Sequence, residues 1–225
     1  MSFRILAMGS AVAALLFLAA AKGPEEEAKP SSYAPASDLV RQLKEYAAAL
    51  VEATEDASAY DDDKKGQVSR DANTVAAMAL VLGMHDEESE YKAAASKLIE
   101  AANQLASEYE DAEKAAEAAK ALKAIVDKPE KGEAISWRAT AEIGPLMKQV
   151  PIVNNNLRRG VSGRRFAQSA DKNAALAATL AAIAQASKFD TNYVVDDADK
   201  PLWEKICAEM RDGSAEALAA IRKGD

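Results

Sequence analysis

Two short runs do most to constrain the fold. Residues 75–82 read Val-Ala-Ala-Met-Ala-Leu-Val-Leu, and residues 174–184 read Ala-Ala-Leu-Ala-Ala-Thr-Leu-Ala-Ala-Ile-Ala. A helix that is apolar on every side is buried on every side, so each run is expected in the middle of a bundle. Alanine fills 52 of the 225 positions, while aromatic residues make up only 5%. That balance favours close-packed helices over a sandwich or barrel, which would need β-branched and aromatic residues with frequent turns.

The flanking segments read as amphipathic helices. Ser37 is a plausible N-cap, followed by Leu39, Leu43, Tyr46, Ala47, Leu50 and Ala53 on one face. Residues 61–66 look like a solvated loop, and a second helix is expected over 69–84. A third follows Ser89, with Tyr91, Ala94, Leu98, Ala102, Leu105 and Tyr109 facing inward. A fourth covers 111–126 and ends before Pro129 and Gly132. Residues 134–160 look irregular, because Pro145 and Pro151 should start, break or kink helices there. Further helices are expected over 169–187 and from 199 or 201 to 222.

The motif Ser69-x-Asp71-x-Asn73 recurs as Ser169-x-Asp171-x-Asn173, each opening one of the two apolar helices. The expected fold is therefore all-α: an antiparallel helical bundle of two related up-down units, the second lacking its last helix. The units are placed at 37–130 and 131–225.

The first 21 residues have the pattern of a cleaved export signal: Arg4, an apolar run over 5–21, and small residues Ala19, Ala20 and Ala21 before a polar stretch. Residues 22–36, with Pro24, Pro30 and Pro35, read as a flexible linker. The mature chain is expected to be exported or periplasmic and soluble, with no membrane association after cleavage. The formal charge of −8 argues against a general nucleic-acid binder. One Cys excludes an internal disulfide, and one Cys with one His excludes the common zinc sites.

Candidate sites are few. Cys207 lies in an amphipathic helix and reads as a small core residue; the other reading is a free thiol that links two copies. His85, at a helix end, reads as an exposed side chain and only weakly as a cofactor ligand. Arg158, Arg159, Arg164 and Arg165 form the densest basic patch, able to hold an anion or an acidic protein partner or simply to pair with the chain's own carboxylates. Gly160 and Gly163 would let the backbone turn there. Asp61, Asp62 and Asp63, and the group Asp190, Asp196, Asp197 and Asp199, lack the alternating ligands of a calcium loop and read as solvated. No serine sits in a nucleophile elbow, and no catalytic residue is expected.

Several segments together resemble exported bacterial proteins related to class II, or c-prime-type, cytochromes. They are residues 69–75, Leu146-Met147-Lys148-Gln149-Val150-Pro151, Leu157-Arg158-Arg159-Gly160-Val161 with Arg164-Arg165-Phe166, residues 177–186, and residues 202–212 around Trp203 and Cys207. The resemblance implies an antiparallel four-helix scaffold. It would also imply haem held by Cys-x-x-Cys-His, but that motif is absent. The expectation is a non-enzymatic binding or structural protein without a cofactor. The alternative is a haem-binding electron-transfer protein, either truncated or holding haem without thioether bonds.

Overall fold

The computed structural model describes residues 27–162 and 166–224, and in them the fold is all-α. Seven α-helices follow one another: α1 (Ala36–Thr54), α2 (Asp62–Gly83), α3 (Glu90–Glu108), α4 (Ala112–Asp127), α5 (Ile143–Val161), α6 (Ala170–Ser187) and α7 (Lys200–Lys223). Helices α1 to α4 close a ring, each packing on the next and α4 returning to α1. Short connections make these neighbours antiparallel. Helix α6 then packs against α1, α2, α5 and α7, while α5 also touches α2.

Helices α2 and α6 lie side by side at the centre. Every residue from Val75 to Leu82 is fully buried, and residues 174–184 are all buried. Alanine side chains let the helices come close. Thr179 sits over Met78, its hydroxyl donating to the Ala175 carbonyl at 2.9 Å and lying 3.9 Å from the Met78 sulfur. One contiguous hydrophobic core runs from α1 to α7. No described helix is long and apolar enough to cross a membrane.

Several helix starts follow their sequence signals. Ser89 accepts the Lys92 N–H at α3, and Asp111 accepts two N–H groups at α4. Others differ from the expectations. Helix α2 begins at Asp62, not Ser69: Asp61 is its N-cap, and Asp62 and Asp63 occupy the first turn, where negative charge suits the helix dipole. The expected loop over 61–66 is therefore mostly helix. Helix α1 starts one residue before Ser37, after Pro35.

Residues 143–161 form one continuous helix despite two prolines. Pro145 sits in the first turn, where its missing N–H has no intrahelical partner anyway. Pro151 faces solvent, so the carbonyl it leaves free can meet water. Side chains from elsewhere fix the start of α5. Asn73 Oδ1 accepts the Glu142 N–H at 2.7 Å, and the buried Asp190 accepts the Ile143 N–H at 3.1 Å. Asp190 is thus a buried cap, not part of a solvated acidic loop.

The linker expectation is corrected from residue 27 onward; residues 22–26, like the export signal, lie outside the described residues. Tyr33 and Ala34 are buried, Pro30–Ser32 make a 3-10 turn, and Ser31 is bonded to Asp86 through both its N–H and its hydroxyl. Arg211 Nη1 donates to Gln185 at 2.9 Å, and the guanidinium lies 5.3 Å from the Tyr33 ring, fixing this segment against α6 and α7.

Gly160 does not turn the chain. It is helical, and a Cβ there would lie 2.0 Å from Asn173 Oδ1, so its bareness lets the end of α5 rest on the start of α6.

The close packing of α2 is testable. Ala77→Leu should destabilise the protein by roughly 1–3 kcal/mol through overpacking, whereas Ala124→Leu on the exposed side of α4 should be nearly neutral. Urea unfolding of both variants checks this.

Candidate functional site

A cleft with a volume of about 770 Å³ opens between α1, the first half of α2, α5 and the start of α6. Three helices build its polar floor. Asp71 on α2 shares a helix face with Val68, Ala72 and Val75, so the fold draws it inward; it is only 6% exposed. Gln149 on α5 shares a face with Leu146 and Val153 and is 3% exposed. Its amide nitrogen donates to Tyr46 Oη of α1 at 2.9 Å and to Asp71 Oδ1 at 3.1 Å. Gln67 donates to the other Asp71 oxygen at 3.4 Å.

This cluster ties three helices together through neutral donors, and among the described residues no cation is bonded to the carboxylate. Burial therefore dominates the ionisation of Asp71 and raises its pKa from 3.8 to about 6, against the smaller opposing effects of Gln67, the Arg70 charge and Gln149. Burial also raises the Tyr46 phenol, and the Asp71 charge adds to it.

Among the described residues two buried polar atoms here have no partner: the carbonyl oxygen of Gln149 and Nε of Arg70. Among the described residues Arg70 has no carboxylate within 4 Å. Its guanidinium passes close over Gly66, where a Cβ would lie 3.2 Å from Nη1. Lys172 of α6 and Glu45 of α1 stand at the cleft wall, and Ile152 with Leu176 gives it an apolar side. The cleft thus offers hydrogen-bond donors and acceptors, charges of both signs and a small apolar wall.

The residues singled out by the sequence lie elsewhere. His85 is buried, not exposed. Its Nδ1 accepts the Glu87 N–H at 3.1 Å and its Nε2 faces the Ala34 carbonyl at 3.2 Å, so a metal or haem iron would have to displace one of these contacts. Cys207 is buried against α6, where burial pushes its thiol pKa up to about 11. A disulfide to a second copy would require that helix to open. Arg158 and Arg159 are exposed at the end of α5, with Arg159 bonded to Asn155 and Asn156. They border a shallow depression with Val161 and Ser162, and among the described residues neither has a carboxylate within 4 Å. Arg164 and Arg165, like Gly163, lie outside the described residues. Asp196 caps the 3-10 turn Asp197–Asp199. Among the described residues no three His, Cys, Asp or Glu side chains are grouped to hold a metal ion.

No protein-family model matches this sequence, and comparison with curated proteins and with solved structures finds no similar one.

The Asp71 cluster gives the protein a defined pH dependence. The folded-state pKa lies above the unfolded value of about 3.9, so folding penalises the carboxylate. That penalty is fully present above about pH 6 and is relieved as pH falls through 6 toward 4. Asp71→Asn should therefore flatten the stability profile between pH 4 and 7, removing a slope worth roughly 3 kcal/mol at most. Melting curves of both proteins across that range measure it. For Cys207, a thiol reagent at pH 8 should label the native protein slowly and the denatured protein fully, because burial disfavours the reactive thiolate.

Proposed function

We propose that this chain is an exported, non-enzymatic binding protein on a helical scaffold like that of the c-prime-type cytochromes, without covalent haem. The cleft floored by Asp71, Gln149 and Tyr46 is its ligand site. The bound molecule is small and polar and carries an amine or other N–H donor. The observation that carries this reading is the floor itself: polar groups from three helices, held apart from water, with hydrogen-bonding capacity left unused at Gln149. A buried polar atom without a partner costs stability, and a ligand or an ordered water that meets it recovers that cost. Binding sites characteristically combine a preformed concavity with a few converging polar groups. The histidine and the cysteine, the side chains best suited to nucleophilic or proton-transfer chemistry near neutral pH, both lie away from the cleft, which supports binding over catalysis.

The test is thermal-shift screening of residues 22–225 against amines, amino acids, carboxylates and sugars. Amine-bearing compounds should raise the melting temperature of the native protein, by an amount that grows with concentration as mass action requires. The shift should vanish in an Asp71→Asn, Gln149→Leu double variant that still melts cooperatively. No shift with any class, or an equal shift in the double variant, would overturn the proposal.

A further inference from the structure

Arg70 and Asp71 are consecutive on α2 and carry opposite charges, yet they do not pair. Neighbours on a helix point about 100° apart. Asp71 is turned inward, where Gln67 and Gln149 each donate to one of its oxygens. Arg70 runs back along the helix toward its N-terminus, as helical side chains do. Gly66 has no side chain to hold it off, and a Cβ there would lie 3.2 Å from Nη1. Among the described residues no carboxylate lies within 4 Å of Arg70, and its buried Nε has no acceptor. The cleft thus keeps a cation and a carboxyl group side by side without joining them.

Two kinds of hydrogen-bonding capacity are left over. The Gln149 carbonyl oxygen is an acceptor without a donor, on the side chain that bonds Asp71; together they suit an ammonium group. The Arg70 guanidinium is a donor without an acceptor, and its planar fork suits a carboxylate. Lys172, exposed at the start of α6, lines the same cleft and adds positive charge. Among the described residues it too has no carboxylate within 4 Å. The Cα atoms of Arg70 and Asp71 are about 3.8 Å apart, so a small molecule that meets both must carry its own two charges close together.

Other ligand classes meet only part of this. A polyamine would satisfy Asp71 and Gln149 but set its second charge against Arg70 and Lys172. A simple carboxylate would satisfy Arg70 and leave the Gln149 oxygen without a donor. A sugar offers no charge to either side. The remaining acidic side chains of the cleft do not alter this balance. Asp61 accepts the Lys64 N–H as the cap of α2, Glu45 accepts from Gln42, and Asp62 and Asp63 are exposed to solvent. Ala49, Ile152 and Leu176 also line the cleft and can cover an apolar side chain.

The geometry points to an α-amino acid with an apolar side chain as the occupant. This inference rests on the reading of the cleft as a ligand site, and it adds a carboxylate and an apolar group to the amine. The ammonium group donates to the Gln149 carbonyl and to Asp71. The carboxylate accepts from Arg70, with Lys172 alongside, and the side chain lies against Ile152 and Leu176. The two unpartnered atoms are covered beneath the cleft surface, so the Gln149 amide and the Arg70 guanidinium turn toward the ligand as it enters. A site that reads both charges rejects analogues lacking either one, because a polar group is then left unpaired.

Titration calorimetry of residues 22–225 near pH 7.5 tests this. The probes are L-leucine, L-methionine and L-phenylalanine, with two analogues of leucine: 3-methylbutylamine, which lacks the carboxylate, and 4-methylpentanoate, which lacks the amine. At least one of the amino acids should bind, and leucine should bind at least tenfold more tightly than either analogue. Arg70→Gln should remove that preference, leaving leucine and the amine within about threefold of each other, and Arg70→Lys should restore part of it. Both variants should keep the native helical spectrum and a cooperative melt. An amine that binds as tightly as leucine, or a preference that survives Arg70→Gln, would overturn the inference and leave the amine site standing. If none of these compounds binds while the thermal-shift screen still finds an amine ligand, the inference falls alone. If that screen finds none either, both readings fall.

Discussion

The burial of α2 and α6 against each other is the constraint on which the rest of the molecule depends. Two helices, one apolar on every side over residues 75–82 and the other over almost all of 174–184, cannot both be shielded by one ring of four helices. The chain answers with α1, α3 and α5 around α2, and with α1, α5 and α7 around α6. Alanine makes this possible, since bulkier side chains would push the two axes apart. It also limits the energy each residue contributes, because a methyl group buries little apolar area. The larger side chains, such as Leu80, Leu82, Met78 and Ile183, therefore supply much of the apolar burial where the surrounding helices converge.

A packing built on small side chains has few shapes that fix one helix against another. Polar anchors between distant parts of the chain supply that register. Asn73 and Asp190 set the start of α5, and Arg222 joins Asp38 of α1 at 2.6 Å and pairs as well with Asp171 of α6. Asp38 is almost wholly buried, and burial raises its pKa even though Arg222 opposes the shift. Leaving such a carboxylate without its partner is costly. Trp203 adds an indole N–H to the Ser187 carbonyl at 3.0 Å, and Trp137 stacks on Phe189 with ring centres 5.4 Å apart. These anchors lie at the ends of the helices, where backbone groups need partners most.

Much of this was legible in the sequence, for a physical reason in each case. Residues 75–82 and 174–184 announced central helices because hydrophobicity without periodicity has one helical solution. The stripe of α3 after Ser89 and the extent of α4 followed local rules that tertiary contacts did not override. The failures were also local rules, misapplied. A run of three aspartates and two lysines reads as a loop, yet Asp61 capped a helix and Lys64, Lys65 and Gly66 continued it. Prolines read as breaks, yet one sat in a first turn and the other faced solvent. A proline-rich leader reads as a tether, yet Tyr33 found a place over Arg211.

The candidate site was harder to see, and the repeated motif shows why. Asp71 and Asp171 hold equivalent places in matching motifs, but Asp71 is buried beneath α5 while Asp171 is exposed and paired with Arg222. Periodicity places both at the start of an apolar helix and cannot tell which start another helix will cover. That is decided by α5, which crosses α2 at Gln149, a residue 78 positions away in sequence. Cysteine and histidine drew attention because their chemistry is distinctive, but here both serve packing. The residues that converge on the cleft are common polar types whose significance is created by burial, which changes what a carboxylate, an amide and a phenol can do.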